Sequence, residues 1–255
     1  MKPTSLASLV LLLSACGGGS GGGTASVPDS TAIPNDSPGG YWVGTDGDNL
    51  PVVALADEDG LFYFLEGRFE NSSGLLSVSN GDSIRGAFSL TQSPGVPDPT
   101  EGSDCKLDGS VSERNSMTLD ASCKALNGQQ LLTTLTFDYD PRYERESSLA
   151  IIAGNYDYAV GGVLNIAEDG TVFSQDDVTG CITNGRVLLN NPDYNVYNIA
   201  MQYTGCSRLD PAVHREQMFG MATLDNSVSP ERLLIIVTAR IDDSTVAVAS
   251  TADRL

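Results

Sequence analysis

Two stretches of this 255-residue chain carry the same four landmarks in the same order, and a repeated unit constrains the fold more than any local propensity does. The first landmark is a glycine-aromatic entry, Gly40-Tyr41-Trp42 in one copy and Gly154-Asn155-Tyr156 in the other. The second is an apolar run that turns on Glu-Asp-Gly: VVALADEDGLFYF from Val52 to Phe64, and GVLNIAEDGTVFS from Gly162 to Ser174. Asp-Gly between extended apolar runs is a strong hairpin signal, because glycine supplies the positive φ that tight turns require. The third is Cys-x-x-x-Gly-x-Val, as Cys105, Gly109, Val111 and as Cys181, Gly185, Val187, followed by an alternating strand into Cys123 or Cys206. The fourth is a polar turn with a final apolar strand, expected at Pro141 to Ala153 and at Pro230 to Ala239.

The copies are unequal. Between its Asp-Gly turn and its first cysteine, copy one carries an extra stretch, 66–104, with two more strand-like runs at Leu75 to Ser79 and Ile84 to Leu90 and then the proline-rich loop SPGVPDPTEG. Met117, Leu119 and Ala121 alternate with Thr118, Asp120 and Ser122, while Tyr197, Ile199, Met201 and Tyr203 alternate with polar or small residues, which is the period of half-buried strands. Many short strands with turn signals at regular spacing predict an all-β chain of two tandem antiparallel repeats, each a β-barrel or β-sandwich. The boundaries read as 39–153 for repeat 1 and 154–255 for repeat 2.

Four cysteines fall inside the repeats, two per copy at equivalent places. An even number in an exported chain reads as disulfides. Four cysteines allow three connectivities, and the repeat selects Cys105 with Cys123 and Cys181 with Cys206. Zinc is the rival reading, but no C-x-x-C pair is present and the single histidine, His214, lies apart from the cysteines. Cys206 is out of phase with Met201 and Tyr203, so a bulge at Gly205 is expected to restore its direction.

The export reading comes from the N-terminus. Lys2, an apolar run from Leu6 to Leu13 and the small residues Ser14 and Ala15 form a signal-peptide layout over 1–15. The run is too short to span a hydrocarbon core, which takes roughly 20 apolar residues. Leu13-Ser14-Ala15-Cys16 resembles the lipobox of bacterial prolipoproteins. That resemblance implies cleavage before Cys16, lipidation of its thiol and acylation of the new amino terminus. Gly17 in place of Asp resembles cargo passed on to the outer membrane. Residues 16–38, GGGSGGGTASVPDSTAIPNDSP after the cysteine, read as a linker with a typical reach of roughly 25 Å. The pattern of glycine-aromatic entry, Asp-Gly turn and Cys-x-x-x-Gly-x-Val looks like a repeat of envelope lipoproteins with no assigned activity.

Loss of 1–15 removes Lys2 and leaves 13 Lys and Arg against 33 Asp and Glu, a formal charge of −20. Such a field repels nucleic acid and anionic headgroups. No G-x-S-x-G, H-E-x-x-H, P-loop or dinucleotide fingerprint occurs, and His214, with Pro211, Arg215 and Glu216 around it, reads as a solvated loop residue. The expectation is no catalytic residue, no cofactor and no metal. Three features remain worth locating. Asp46, Asp48 and Asn49 with Asp57, Glu58 and Asp59 form an acidic group whose spacing fails the EF-hand pattern at Leu50 and Pro51. Tyr41, Trp42, Phe62, Tyr63 and Phe64 are read as core, with a ligand cup as the alternative. The charge itself fits a cationic partner.

These readings give a non-enzymatic outer-membrane lipoprotein that binds an envelope protein or serves an assembly, held to the membrane by its N-terminal lipid. The alternatives are a periplasmic inhibitor of a basic cell-wall hydrolase of the lysozyme type and a barrel that carries a small ligand.

Overall fold

The computed structural model describes residues 35–67, 70–90, 104–124, 128, 130–158, 162–207, 209, 213–241 and 244–255. The signal segment 1–15, Cys16, the linker through residue 34 and the proline-rich loop through residue 103 lie outside them. Both repeats are closed eight-stranded antiparallel barrels. Barrel 1 consists of β1 (Gly40–Thr45), β2 (Pro51–Ala56), β3 (Leu61–Glu66), β4 (Ser73–Ser79), β5 (Ser83–Ser89), β6 (Asp104–Ser112), β7 (Ser116–Lys124) and β8 (Gln130–Asp140). Barrel 2 consists of β9 (Gly154–Tyr158), β10 (Val163–Ile166), β11 (Thr171–Asp176), β12 (Cys181–Leu189), β13 (Tyr197–Thr204), β14 (Met218–Asp225), β15 (Arg232–Ile241) and β16 (Ser244–Arg254). Pairing of β1 with β8 and of β9 with β16 closes each ring, which leaves neither sheet an edge to pair with another chain.

Both Glu-Asp-Gly turns are built alike. Gly60 and Gly170 have φ of 88° and 84°. Each glycine folds over the barrel end so that its carbonyl accepts from the second strand after it, Leu76 N on β4 at 2.7 Å and Val187 N on β12 at 2.8 Å. A Cβ at Gly60 would lie 2.1 Å from the Leu76 carbonyl oxygen, and one at Gly170 would lie 2.4 Å from that of Val187. The same brace thus falls on β4 in barrel 1 and on β12 in barrel 2, although the cysteine landmark matches β12 to β6. The extra stretch of copy one supplies the hairpin β4–β5, two staves of the barrel. Barrel 2 reaches the same strand number by running three strands, β14 to β16, after its second cysteine.

Two expectations change. The fourth landmark is a strand only in copy two, where β15 covers it. In copy one, Pro141–Glu144 is a 3-10 turn and Leu149–Ile152 a single helical turn, α1. Asp140 caps the first by accepting from Arg142 N at 2.9 Å, and the Ser148 hydroxyl caps the second by accepting from Ile151 N at 3.2 Å. Gly205 also differs from expectation. The strand ends at Thr204, and Gly205, with φ of 70°, swings Cys206 back toward the barrel axis from just beyond the ladder.

Each barrel is plugged at the end where the connection between them runs. Residues 35–39 cross barrel 1: the Trp42 indole donates to the Pro38 carbonyl at 3.0 Å, Asn35 to Val78 O at 3.0 Å, and Glu113 N to the Asp36 carboxylate at 3.0 Å. In barrel 2 the plug is α1, whose Ile152 is fully buried and accepts from the Tyr156 hydroxyl at 2.6 Å.

Consecutive burial along β2, from Val52 to Ala56, shows that both faces of this strand are covered. Val52, Ala54 and Ala56 point into barrel 1, while Val53 and Leu55, with Tyr41, Tyr63 and Tyr143, pack outward against Val196, Met221 and Ile236 of barrel 2. Asn195 stitches this seam. Its side-chain amide donates to Leu224 O at 2.7 Å and to Arg142 O at 3.2 Å, and its backbone N–H donates to Tyr143 O at 2.8 Å. Arg142 stacks 4.3 Å from the Tyr41 ring centre and pairs with Asp140 at 2.7 Å and Asp225 at 3.0 Å.

Candidate functional site

The aromatic group singled out in the sequence divides between two jobs. Trp42, Phe62 and Phe64 lie in the core of barrel 1, and Tyr41 and Tyr63 belong to the seam. Phe62, Phe64 and Phe88 meet edge to face at 5.2 to 6.2 Å and fill the interior. These rings line no cup.

The acidic group forms turns. The Asp46 carboxylate accepts from Asp48 N at 2.9 Å and Leu50 N at 3.0 Å, and Asp57 accepts from Asp59 N at 3.1 Å and Leu61 N at 2.9 Å. Asn190 of barrel 2 donates to Asp57 at 3.1 Å. Burial raises the Asp57 carboxyl above its ordinary range, against the pull of these hydrogen bonds. Glu58 turns to the seam, where it accepts from the Ser37 hydroxyl and lies 3.4 Å from Arg114. Among the described residues no group of three or more His, Cys, Asp or Glu is arranged to hold a metal.

Both disulfides close as the repeat requires, Cys105 with Cys123 and Cys181 with Cys206, with Cα separations of 4.1 and 3.9 Å. Their surroundings differ. Cys105 and Cys123 are both buried under Phe88 and Leu131. Cys181 is half-buried and, with Cys206, forms one wall of a cavity of about 220 Å³ at the end of barrel 2 remote from α1. His214 supports that wall: it is half-buried, and its Nε2 lies 2.9 Å from the Cys206 carbonyl. Its neighbour Arg215 donates its backbone N–H to Tyr203 O at 2.8 Å, which fastens the segment along β13.

Strand register assembles the floor of this cup. Ser174 on β11 stands opposite Thr183 on β12, and Thr183 stands opposite Tyr203 on β13. All three are buried and point inward. Tyr158 and Ser250, from the strands that close the ring, complete a hydroxyl-lined floor. Leu209, Val248 and the disulfide give apolar walls, and Asp176 stands at the rim. The Asp176 carboxylate caps its own turn, accepting from Val178 N at 2.8 Å and from the Thr179 hydroxyl at 2.5 Å. Burial drives both tyrosine hydroxyls well above the usual phenol range, with Ser250 opposing the shift at Tyr158 and Tyr158 adding to it at Tyr203. Both phenols therefore stay protonated at neutral pH; the Tyr203 hydroxyl donates to Met201 Sδ at 3.5 Å and offers the cup its acceptor lone pairs. The sequence marked Cys181, Cys206 and the alternating Tyr203 but not the cup itself, because its lining comes from five strands of ordinary composition.

No protein-family model matches the chain, and no curated protein matches it. Among solved structures it is similar to immune modulator A of Aeromonas veronii, at 9% identity and a TM-score of 0.37, over 88% of this chain and 97% of that one.

Proposed function

We propose that this chain is a non-catalytic binding lipoprotein of the outer membrane, anchored through Cys16 and binding its ligand in the open end of barrel 2. The observation that carries the reading is the contrast between two barrels of one design. Barrel 1 is packed solid with aromatic rings, while barrel 2 is plugged at one end and keeps a cavity of about 220 Å³ at the other. A concave, mostly apolar recess with a few convergent polar groups is the ordinary form of a ligand site. The rigid seam supports the same reading, since it gives the cup a fixed mounting on barrel 1.

Two experiments test the two halves of the proposal. Cys16→Ser releases the protein from the membrane fraction, and retention would overturn the anchor. Native mass spectrometry of protein drawn gently from envelopes should show a bound small molecule that disappears in Thr183→Leu, a substitution that fills the cup. A clean, adduct-free mass for the unsubstituted protein would overturn the binding half.

A further inference from the structure

We infer that the cup of barrel 2 takes a small uncharged amphiphile, with a hydroxyl-bearing or similar neutral polar head at the floor and a compact apolar body toward the rim. This rests on the binding reading above and adds the chemistry of the ligand. Size comes first. A cavity of about 220 Å³ is far more than one water requires, and it falls below the roughly 300–1,000 Å³ of pockets that enclose drug-sized molecules. The occupant is the size of a single substituted ring or a short branched chain.

Charge comes second. The floor groups, Tyr158, Tyr203, Ser174, Thr183 and Ser250, are all neutral hydroxyls. An ionised head placed there would lose its hydration with no opposite charge to meet it, a loss that hydroxyls alone do not offset. Anions face a further barrier, because Asp176 stands at the rim and the whole chain carries a formal charge of −19. For a cation, Asp176 is the nearest partner, but its carboxylate is held by the turn at Val178 and Thr179 and does not point a free charge at the floor. Orientation follows from the lining. On their strands Thr183 and Ser250 lie two residues farther from the open end than Cys181 and Val248, and Cys206 lies beyond the end of β13, so these hydroxyls are deeper than the apolar groups and the polar end of the ligand goes in first.

Three probes that share a phenol ring separate the charge classes: p-cresol, which is neutral, 4-hydroxybenzoate, an anion, and tyramine, a cation. Each is titrated into the full chain carrying Cys16→Ser, so that no detergent competes, with binding read by calorimetry and by NMR shifts of the cup residues. The expected result is saturable p-cresol binding, at least tenfold weaker binding of 4-hydroxybenzoate, and tyramine no tighter than p-cresol. Tyr158→Phe and Tyr203→Phe each weaken p-cresol about fivefold to tenfold, as loss of one hydrogen bond does. Thr183→Leu and Ser250→Leu abolish binding while the dispersed NMR signals of barrel 2 residues away from the cup, such as Tyr156 and Tyr197 at its plugged end, show that barrel 2 is still folded. The inference is overturned if 4-hydroxybenzoate binds as well as p-cresol, if tyramine binds more than tenfold tighter, or if p-cresol binding survives both filled variants. If no probe binds but envelope-purified protein still carries an adduct sensitive to Thr183→Leu, the cup is a binding site and the assigned ligand class is wrong. If neither is seen, both readings fall.

Discussion

Leu55 is the sharpest test of how the two barrels are joined. It points out of barrel 1 and is only 1% exposed, because Met221 and Ile236 of barrel 2 cover it. On an isolated barrel it would be an exposed leucine. Leu75, also outward-facing on barrel 1 but on β4, is 59% exposed and serves as the control. Leu55→Ala removes three buried carbons from a well-packed seam, and Leu-to-Ala changes at such sites cost about 2–5 kcal/mol. Leu75→Ala, like other surface changes, stays within about 0.5 kcal/mol. The chain's single tryptophan, Trp42, lies in the core of barrel 1, so its emission follows barrel 1 alone. With urea slopes of about 1–3 kcal/mol per molar, a loss of about 3 kcal/mol moves the Trp42 midpoint down by roughly 1–3 M. If Leu55→Ala and Leu75→Ala give the same midpoint, barrel 2 does not cover this face and the seam is wrong.

Other expectations follow from the same contacts. Asn195→Ala strands the Leu224 and Arg142 carbonyls inside the seam and lowers stability by about 1–3 kcal/mol, read from the same urea curves, whereas an effect near zero would remove the stitching role. The Asp225 carboxyl sits below its ordinary range because hydrogen bonds from Ser227 and Arg142 outweigh the effect of burial, and Arg142 likewise outweighs burial at Asp140. Stability from a lowered carboxyl pKa is fully present above the unfolded value, about 3.9, and is lost as pH falls below it. Thermal midpoints should therefore drop below about pH 4, and Asp225→Asn should flatten that drop; an unchanged acid limb would refute the assignment. Limited reduction followed by mass mapping should open Cys181–Cys206 before Cys105–Cys123, since only the former borders the cavity. Cys105–Cys123 closes a loop of 18 residues and Cys181–Cys206 one of 25, about 3 kcal/mol each in the chain-entropy account, so reduction of either lowers the thermal midpoint of its own barrel measurably.

The strands and the disulfide pairing were legible because they are local or repeated. The third landmark has a packing cause. A Cβ on Gly109 would lie 1.9 Å from the Thr118 carbonyl oxygen, and one on Gly185 would lie 2.4 Å from that of Ala200, so glycine is the residue that lets the cysteine-bearing hairpin close in both barrels. What misled was the apolar run Leu149 to Ile152, which reads as strand by composition but is turned into helix by the Ser148 cap. The seam stayed hidden for a different reason. Val53, Leu55 and Tyr63 are apolar, as core residues are, and nothing along β2 or β3 tells burial by a second barrel from burial inside the first.

The cup was illegible because it depends on register between distant strands, yet its cause lies in one difference of composition. Inside barrel 1 the large rings are Trp42, Phe62, Phe64, Phe88, Phe137 and Tyr139, and four of these six carry no polar atom to place. Inside barrel 2 they are all tyrosines: Tyr156, Tyr158, Tyr197 and Tyr203. A buried phenol hydroxyl requires a partner, so a tyrosine-filled barrel must present polar groups where its rings end. Two of the four solve this at the plugged end, where Tyr156 donates to Ile152 O at 2.6 Å and Tyr197 to Ser148 O at 3.4 Å, both in the segment that forms α1 and its cap. The other two face the opposite end, where among the described residues no helix supplies carbonyls: Tyr158 meets Ser250, Tyr203 donates to Met201 Sδ at 3.5 Å, and Ser174 and Thr183 stand beside them. The phenylalanines of barrel 2 do not repair this, since Phe173 and Phe219 point outward and are 45% and 61% exposed. Replacing inward phenylalanine with tyrosine thus turns one end of a solid barrel into a polar-floored recess, and the same eight-stranded ring serves as a mounting in the first repeat and as a receptacle in the second.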